Sequence, residues 1–306
     1  MAVRVKVALP LKCALGEGLH WDEQRNLLWF VDIYGPRLFW FNPDTYQVGE
    51  RGLPDLVGWV LSVEDSDRVL VGLRTGVALL DVFDDSARVE WINRQFPSDV
   101  DHRLNDAKAD ETGRLWYGSM SATDESKRVG ELACYLVGKG NPVVVDRGFK
   151  VTNGPAFNRD CTVMLHSDSA ERLTYRYAMN AVTGSVTERS VWKQFGEDDG
   201  HPDGMTFDAE DCVWIAHWGA SKLCRYDAHG NRLLTVRMPT SNVTNVCFGG
   251  KDLNRIFVTS AGYGLGRGQA VPDRNAGALF EVLGVNAVGL PPWRPRISFD
   301  DTELPA

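Results

Sequence analysis

Six times along the chain the same pattern returns: a strand-like run closing on an acidic or amide-rich turn, an apolar strand, a loop and a further strand. The copies begin at His20, Val63, Lys108, Ala156, Thr206 and Cys247, between 41 and 50 residues apart. A unit of this length cannot bury both of its faces alone and must stack on its neighbours. The period therefore constrains the architecture before any other property is considered.

The segments inside the copies say what is being stacked. "LLWFVDI", "RVLVGL", "RLWYGSM", "TVMLHS", "CVWIAHW" and "RIFVTS" are rich in aromatic and β-branched residues and too short for helices. Turn chemistry precedes each of them, in "DEQRN", "DSDR", "DETGR", "NRDC", "DAEDC" and "GKDLN". No stretch sustains a helical period. Six copies with room for four strands each predict an all-β chain, a six-bladed β-propeller of four-stranded antiparallel blades forming one domain over residues 1–306. "VRVKVALP" precedes the first copy, while the last copy lacks a fourth strand after "GALFEVL". Val3 to Leu9 is thus expected to complete the sixth blade and remove an open edge. The tail from about Gly284 is expected to wrap the outside.

Composition excludes several partners. The 306 residues are 43% hydrophobic and 24% charged, as expected of a chain that buries a sizeable core. A net charge of −8 disfavours nucleic acid and anionic membrane, both of which attract basic faces. No apolar run approaches about 18 residues, and "MAVRVKVALPLKCALGEG" has no continuous apolar core of a secretory signal. The six cysteines form no CxxC and no zinc-like spacing with histidine. A reduced cytoplasmic protein, monomeric or weakly homo-oligomeric, is expected.

Three residues before each copy stand Glu17, Val60, Asn105, Asn153, Asp203 and Thr244. In a propeller, equivalent positions on the innermost strands face one another around the central channel. Two carboxylates and two amides would meet there, with Arg103 returning to the face of Asn105 at strand spacing. Crowded carboxylates repel and lose hydration. A divalent cation on the two carboxylates and an amide oxygen resolves the conflict, and all-oxygen ligation suits Ca²⁺, Mg²⁺ or Mn²⁺, with Zn²⁺ and Fe²⁺ as further options. Asp110 and Asp208 read instead as hairpin formers and Asp32 and Asp168 as loop braces. His20, His166 and His217 read as packed histidines, and Trp21, Trp29, Trp116 and Trp214 as core.

"LGEGLHWD" (Leu15 to Asp22), "RLNDAKAD" (Arg103 to Asp110), "VTNGPAF" (Val151 to Phe157) and "HPDGMTFD" (His201 to Asp208) resemble the SMP-30/gluconolactonase family in order and over nearly the whole chain. The resemblance implies the same six-bladed propeller and metal-dependent hydrolysis of a sugar lactone to the aldonic acid. It implies Glu17, Asn153 and Asp203 as metal ligands, Asp203 as the base, and Arg103 and Asn105 as substrate contacts. Two departures stand out: Ala107 replaces a common glycine, and Thr123, beside Asp124 and Glu125, occupies the position of a substrate-contacting glutamate. Loops after the second strand of each blade should supply the remaining contacts. They carry Tyr34, the insert Ser121 to Val129, His217 with Trp218, and the insert Gly262 to Ala276, which includes Gln269. A related metal-dependent esterase or phosphotriesterase, or a non-catalytic binding propeller, is the alternative.

Overall fold

The computed structural model describes residues 2–84, 86, 88–264 and 273–298. Among these, twenty-four strands form six four-stranded antiparallel sheets arranged as a ring, a six-bladed β-propeller. Neighbouring blades meet through their innermost strands: Gly16–Asp22, Val57–Ser62, Arg103–Ala109, Thr152–Phe157, His201–Phe207 and Val243–Gly249. In five blades each sheet is ordered as the chain runs. In the sixth, Arg4–Leu9 pairs with Leu279–Leu283, so the ring is closed by the N-terminal strand as its alternation and position predict. Among the described residues no helix is long and apolar enough to cross a membrane, and all six cysteines are free.

The repeat is held by a recurring device. Asp22 ends an innermost strand, Asp110 and Asp208 directly follow one, and each accepts a hydrogen bond from the indole Nε1–H of the tryptophan on the next strand, Trp29 (3.2 Å), Trp116 (2.8 Å) and Trp214 (2.9 Å). Each also takes an arginine, at 2.7 Å from Arg25, 2.6 Å from Arg114 and 2.7 Å from Arg225. Turn N–H groups fill the remaining acceptor sites, among them those of Gln24, Thr112 and Glu210. One buried carboxylate thus shapes the hairpin, aligns two strands and leaves the indole polar group satisfied inside the core. Asp32 and Asp168 brace loops as expected: Asp32 accepts from the N–H groups of Ala14, Leu15 and Gly35, and Asp168 from those of Lys150 and Val151.

The tail departs from expectation. It does not wrap the outside; it crosses the end of the ring formed by the hairpins between first and second strands. Backbone bonds tie Gly289 to Leu253, Pro295 to Glu64, Arg296 to Gly113 and Ser298 to Val137, while Arg294 pairs with Glu23. The reason is apolar. Leu19, Trp21, Leu61, Phe157, Phe207 and Phe248 line this end of the channel, and Leu290, Pro291, Pro292 and Trp293 cover it. Water is thereby kept from a ring of aromatic and aliphatic side chains. Among the described residues the other end of the channel holds a cavity.

Candidate active site

All but one of the innermost strands step out of register by an extra residue at the same depth, between Glu17 and His20, Leu104 and Ala107, Asn153 and Ala156, Pro202 and Met205, and Val243 and Val246; in Val57–Ser62 the shift falls between Val57 and Trp59. Such bulges re-aim side chains that strict alternation would send into the blades. Glu17 and Asn153 sit in the last regular pair before the bulge, opposite Val31 and Ser167. Asn105 and Asp203 lie one residue further on, inside the bulge. For these four residues the shared offset read from sequence covers two register positions, and both deliver side chains to the channel; Val60, in a regular pair beyond its strand's shift, packs into the core instead.

A cavity of about 230 Å³ opens at this end, lined by Glu17, Arg103, Asn105, Asn153 and Asp203, with Trp218, Glu125, Tyr263, His201 and Ser169 around them. Glu17, Arg103, Asn105, Asn153 and Asp203 are all buried. The Glu17 carboxylate accepts on Oε2 from Gly18 N (3.0 Å) and Asn245 Nδ2 (2.9 Å). Asp203 accepts on Oδ1 from Gly204 N at 3.1 Å. Among the described residues, Glu17 Oε1 and Asp203 Oδ2 accept nothing. Arg103 donates to Asn105 Oδ1; Asn105 Nδ2 donates to Thr152 O (2.5 Å) and Asn153 Oδ1 (3.2 Å); and Asn153 Nδ2 donates to Ser169 Oγ (2.8 Å). Arg103 forms no ion pair among the described residues, and its buried Nε lacks a partner.

Two buried groups here escape a reading by strand alternation. Asp106, adjacent to Asn105, accepts from Gly154 N (2.9 Å) and Ala107 N (2.8 Å). Asn245, adjacent to Thr244, reaches Glu17, and the missing side chain at Gly204 makes this possible: a Cβ there would lie 2.3 Å from the Asn245 amide carbon. Period-two alternation sends one of two adjacent residues away from the channel; the bulge admits both. The only sequence signal was that each follows a residue already placed on the ring.

The electrostatics are those of crowded carboxylates. Burial, then the charge of Asp106, pushes Glu17 up to about 8. Burial, then the charges of Glu17 and Asp106, holds Asp203 well above the usual carboxylate range, and burial raises Asp106 as well. Ionised together, these groups need a counter-charge. Two carboxylates with unbonded oxygens and an amide oxygen form a hard donor set that fits a divalent cation. Among the described residues no three His, Cys, Asp or Glu side chains converge as a ligand group. A cation would therefore use Glu17, Asp203 and the Asn153 amide, with Asp106 committed to backbone N–H groups.

Two expected substrate contacts fall outside the cavity lining. Thr123 is exposed and its N–H is tied to Asp101; the neighbouring Glu125 lines the cavity instead. His217 is fully buried in the blade, bonded to Tyr226 (2.9 Å) and packed against Phe195, because strand pleating turns it away from the face that Trp218 reaches. His20 and His166 are likewise packed. Tyr34 meets Tyr263 at the rim with ring centroids 4.8 Å apart and lies 5.9 Å from the Arg103 guanidinium. Residues 265–272 of the last insert, Gln269 among them, lie outside the described residues.

Residues 15–262 match the family model for the SMP-30/Gluconolactonase/LRE-like region. The chain is 34% identical over 295 residues to pentonolactonase XacC of Haloferax volcanii, covering 93% of this chain and 96% of that protein. Among solved structures it is similar to a luciferin-regenerating enzyme, at TM-score 0.90 and 28% identity over 97% of this chain and 100% of the other. It is similar also to a calcium-binding protein, regucalcin, from Agrobacterium tumefaciens, at TM-score 0.87 and 26% identity over 95% and 96%.

Proposed function

The chain belongs to the SMP-30/gluconolactonase/LRE-like family, and from that premise we propose that it is a carboxylic ester hydrolase opening a sugar lactone, with one divalent cation held by Glu17, Asn153 and Asp203. The observation that carries the reading is one cavity lined by those three side chains and by a buried Arg103 with Asn105. Similarity to a protein named pentonolactonase supports the substrate class, and similarity to one described as calcium-binding supports the cation.

A bound divalent cation would act there as a Lewis acid on the lactone carbonyl and offset the carboxylate charge. Asp203, buried in the cavity wall with one carboxylate oxygen on Gly204 N, takes a proton from the attacking water. The water oxygen bonds to the carbonyl carbon, the ring C–O bond breaks, and the proton passes to the departing ring oxygen, giving the hydroxy acid. Arg103 donates to the oxygen that gathers negative charge or to a sugar hydroxyl beside it. Asn105 is held rigidly by Arg103, Thr152 and Asn153, with its NH₂ engaged, and offers a substrate hydroxyl the remaining lone pair of Oδ1. Lactones are activated esters, so no covalent nucleophile is needed, and the sequence has no G-x-S-x-G elbow.

Rates on a panel of lactones, measured on metal-stripped and reconstituted enzyme, test this. Five- and six-carbon aldonolactones should be hydrolysed far better than δ-valerolactone or a phosphotriester, because a substrate without hydroxyls leaves the buried Arg103 guanidinium short of a partner. Equal kcat/KM for δ-valerolactone and a sugar lactone, or full turnover after exhaustive metal removal, would sink the proposal.

A further inference from the structure

Ser169 stands just beyond strand Val163–Asp168 and is not on an innermost strand, yet it lines the cavity. Its backbone is fixed three times over: Ser169 N donates to Val151 O (2.9 Å), while Ser169 O accepts from Arg172 N (3.0 Å) and meets His201 Nδ1 at 2.8 Å. The side chain is buried and bridges two blades, 2.5 Å from Pro202 O on one side and 2.8 Å from Asn153 Nδ2 on the other.

The chemistry of the two ends dictates the direction of every hydrogen bond between them. Pro202 O can only accept, so the Ser169 hydroxyl must donate to it and has only lone pairs left for Asn153. The asparagine must therefore turn its NH₂ toward Ser169 and its Oδ1 away. At the other end Arg103 can only donate, so Asn105 offers Oδ1 to it and aims NH₂ at Thr152 O and Asn153 Oδ1. From both sides the Asn153 amide is held in one of its two orientations. An isolated asparagine would populate both, and only one presents oxygen.

We propose that Ser169 is a positioning residue that sets the Asn153 amide oxygen toward the cation site and, through Pro202, links that orientation to the strand carrying Asp203. The inference rests on the proposed function insofar as Asn153 is a cation ligand; the orientation itself does not. Removing a partner that orients a metal ligand typically lowers affinity about 10–100-fold.

The test compares Ser169→Thr with Ser169→Val, which add similar bulk and differ in the hydroxyl, so any packing cost falls on both. When Ca²⁺ and Mn²⁺ are titrated calorimetrically into stripped protein, the Ser169→Thr variant should bind about 10–100-fold more tightly than the Ser169→Val variant. In an Asn153→Asp background, where both oxygens are equivalent, the difference should fall below about threefold. In metal-free protein with ¹⁵N-labelled asparagine, the Asn153 side-chain NH₂ should resist hydrogen exchange in the parent and in Ser169→Thr, and lose protection in Ser169→Val. Equal affinities for the two variants, a gap that persists in the Asn153→Asp background, or equal exchange overturns the inference. No divalent binding by the parent, with the exchange pattern as expected, would overturn the cation assignment and uphold the orienting role.

Discussion

Asp203 and Asp208 lie five residues apart, within and just past the end of one innermost strand, and both are buried. Replacing each by asparagine should have opposite consequences. Asp208 accepts from Glu210 N (2.9 Å), Cys212 N (3.1 Å), Trp214 Nε1 (2.9 Å) and Arg225 Nε (2.7 Å). Asp208→Asn turns an NH₂ toward the indole N–H and the guanidinium, leaving two donors facing a third. Breaking a buried pair costs about 3–5 kcal/mol. Arg225 keeps Glu210 Oε2 at 2.6 Å, so the lower end, about 3 kcal/mol, applies. In a chain of this size that lowers Tm by roughly 5 °C or more. Asp203 accepts a single protein hydrogen bond among the described residues, from Gly204 N, and an asparagine oxygen can keep it. The substitution also replaces a buried carboxyl crowded with Glu17 and Asp106 by a group that cannot ionise. Metal-free Asp203→Asn protein should therefore be at least as stable as the parent, while kcat falls about 10²–10⁴-fold through loss of the base. Urea unfolding in chelator, paired with kcat on the same preparations reconstituted with metal, reads both. Equal destabilisation by the two substitutions, or a folded Asp208→Asn protein as inactive as Asp203→Asn, would refute the division between site and hairpin carboxylates.

Asn105→Ala should lower kcat/KM about 10–100-fold with cation affinity within a few-fold of the parent by calorimetry, because Ser169 still holds the Asn153 amide in its one orientation; loss of the cation would place Asn105 among the residues that maintain the metal site. Burial holds His166 down to about 3 against an unfolded value of 6.5, so between these pH values the unfolded chain binds a proton that the folded one refuses. Its contribution is present above 6.5 and lost as pH falls toward 3, and His166→Leu should flatten the acid limb by roughly 2 kcal/mol between about pH 7 and 5 in urea titrations. An unchanged slope would show that another group controls that limb. Trp293→Ala opens the covered end of the channel and should cost about 2–3 kcal/mol, less than a fully buried tryptophan, with kcat/KM unchanged because the cavity lies at the other end; a large loss of activity in folded protein would connect the two ends.

The repeat, the strand content and the closure by Val3 to Leu9 were legible in the sequence because each depends on local quantities: a recurring strand-and-turn period, two-residue alternation and turn chemistry. That Glu17, Arg103, Asn105, Asn153 and Asp203 line one cavity was legible too, since a ring of like elements brings like positions to one axis, and Trp218 was legible as a residue at the end of a blade's second strand. The rest depended on tertiary structure. Bulges admit Asp106 and Asn245, which alternation would send elsewhere. Pleating buries His217 while its neighbour Trp218 reaches the cavity, and loop geometry brings Glu125 to the lining where Thr123 was expected. The apolar mouth that draws the tail across it exists only once six blades have assembled. Even the orientation of the Asn153 amide is set from another part of the chain, by a serine whose hydroxyl has one acceptor to serve and one donor to receive.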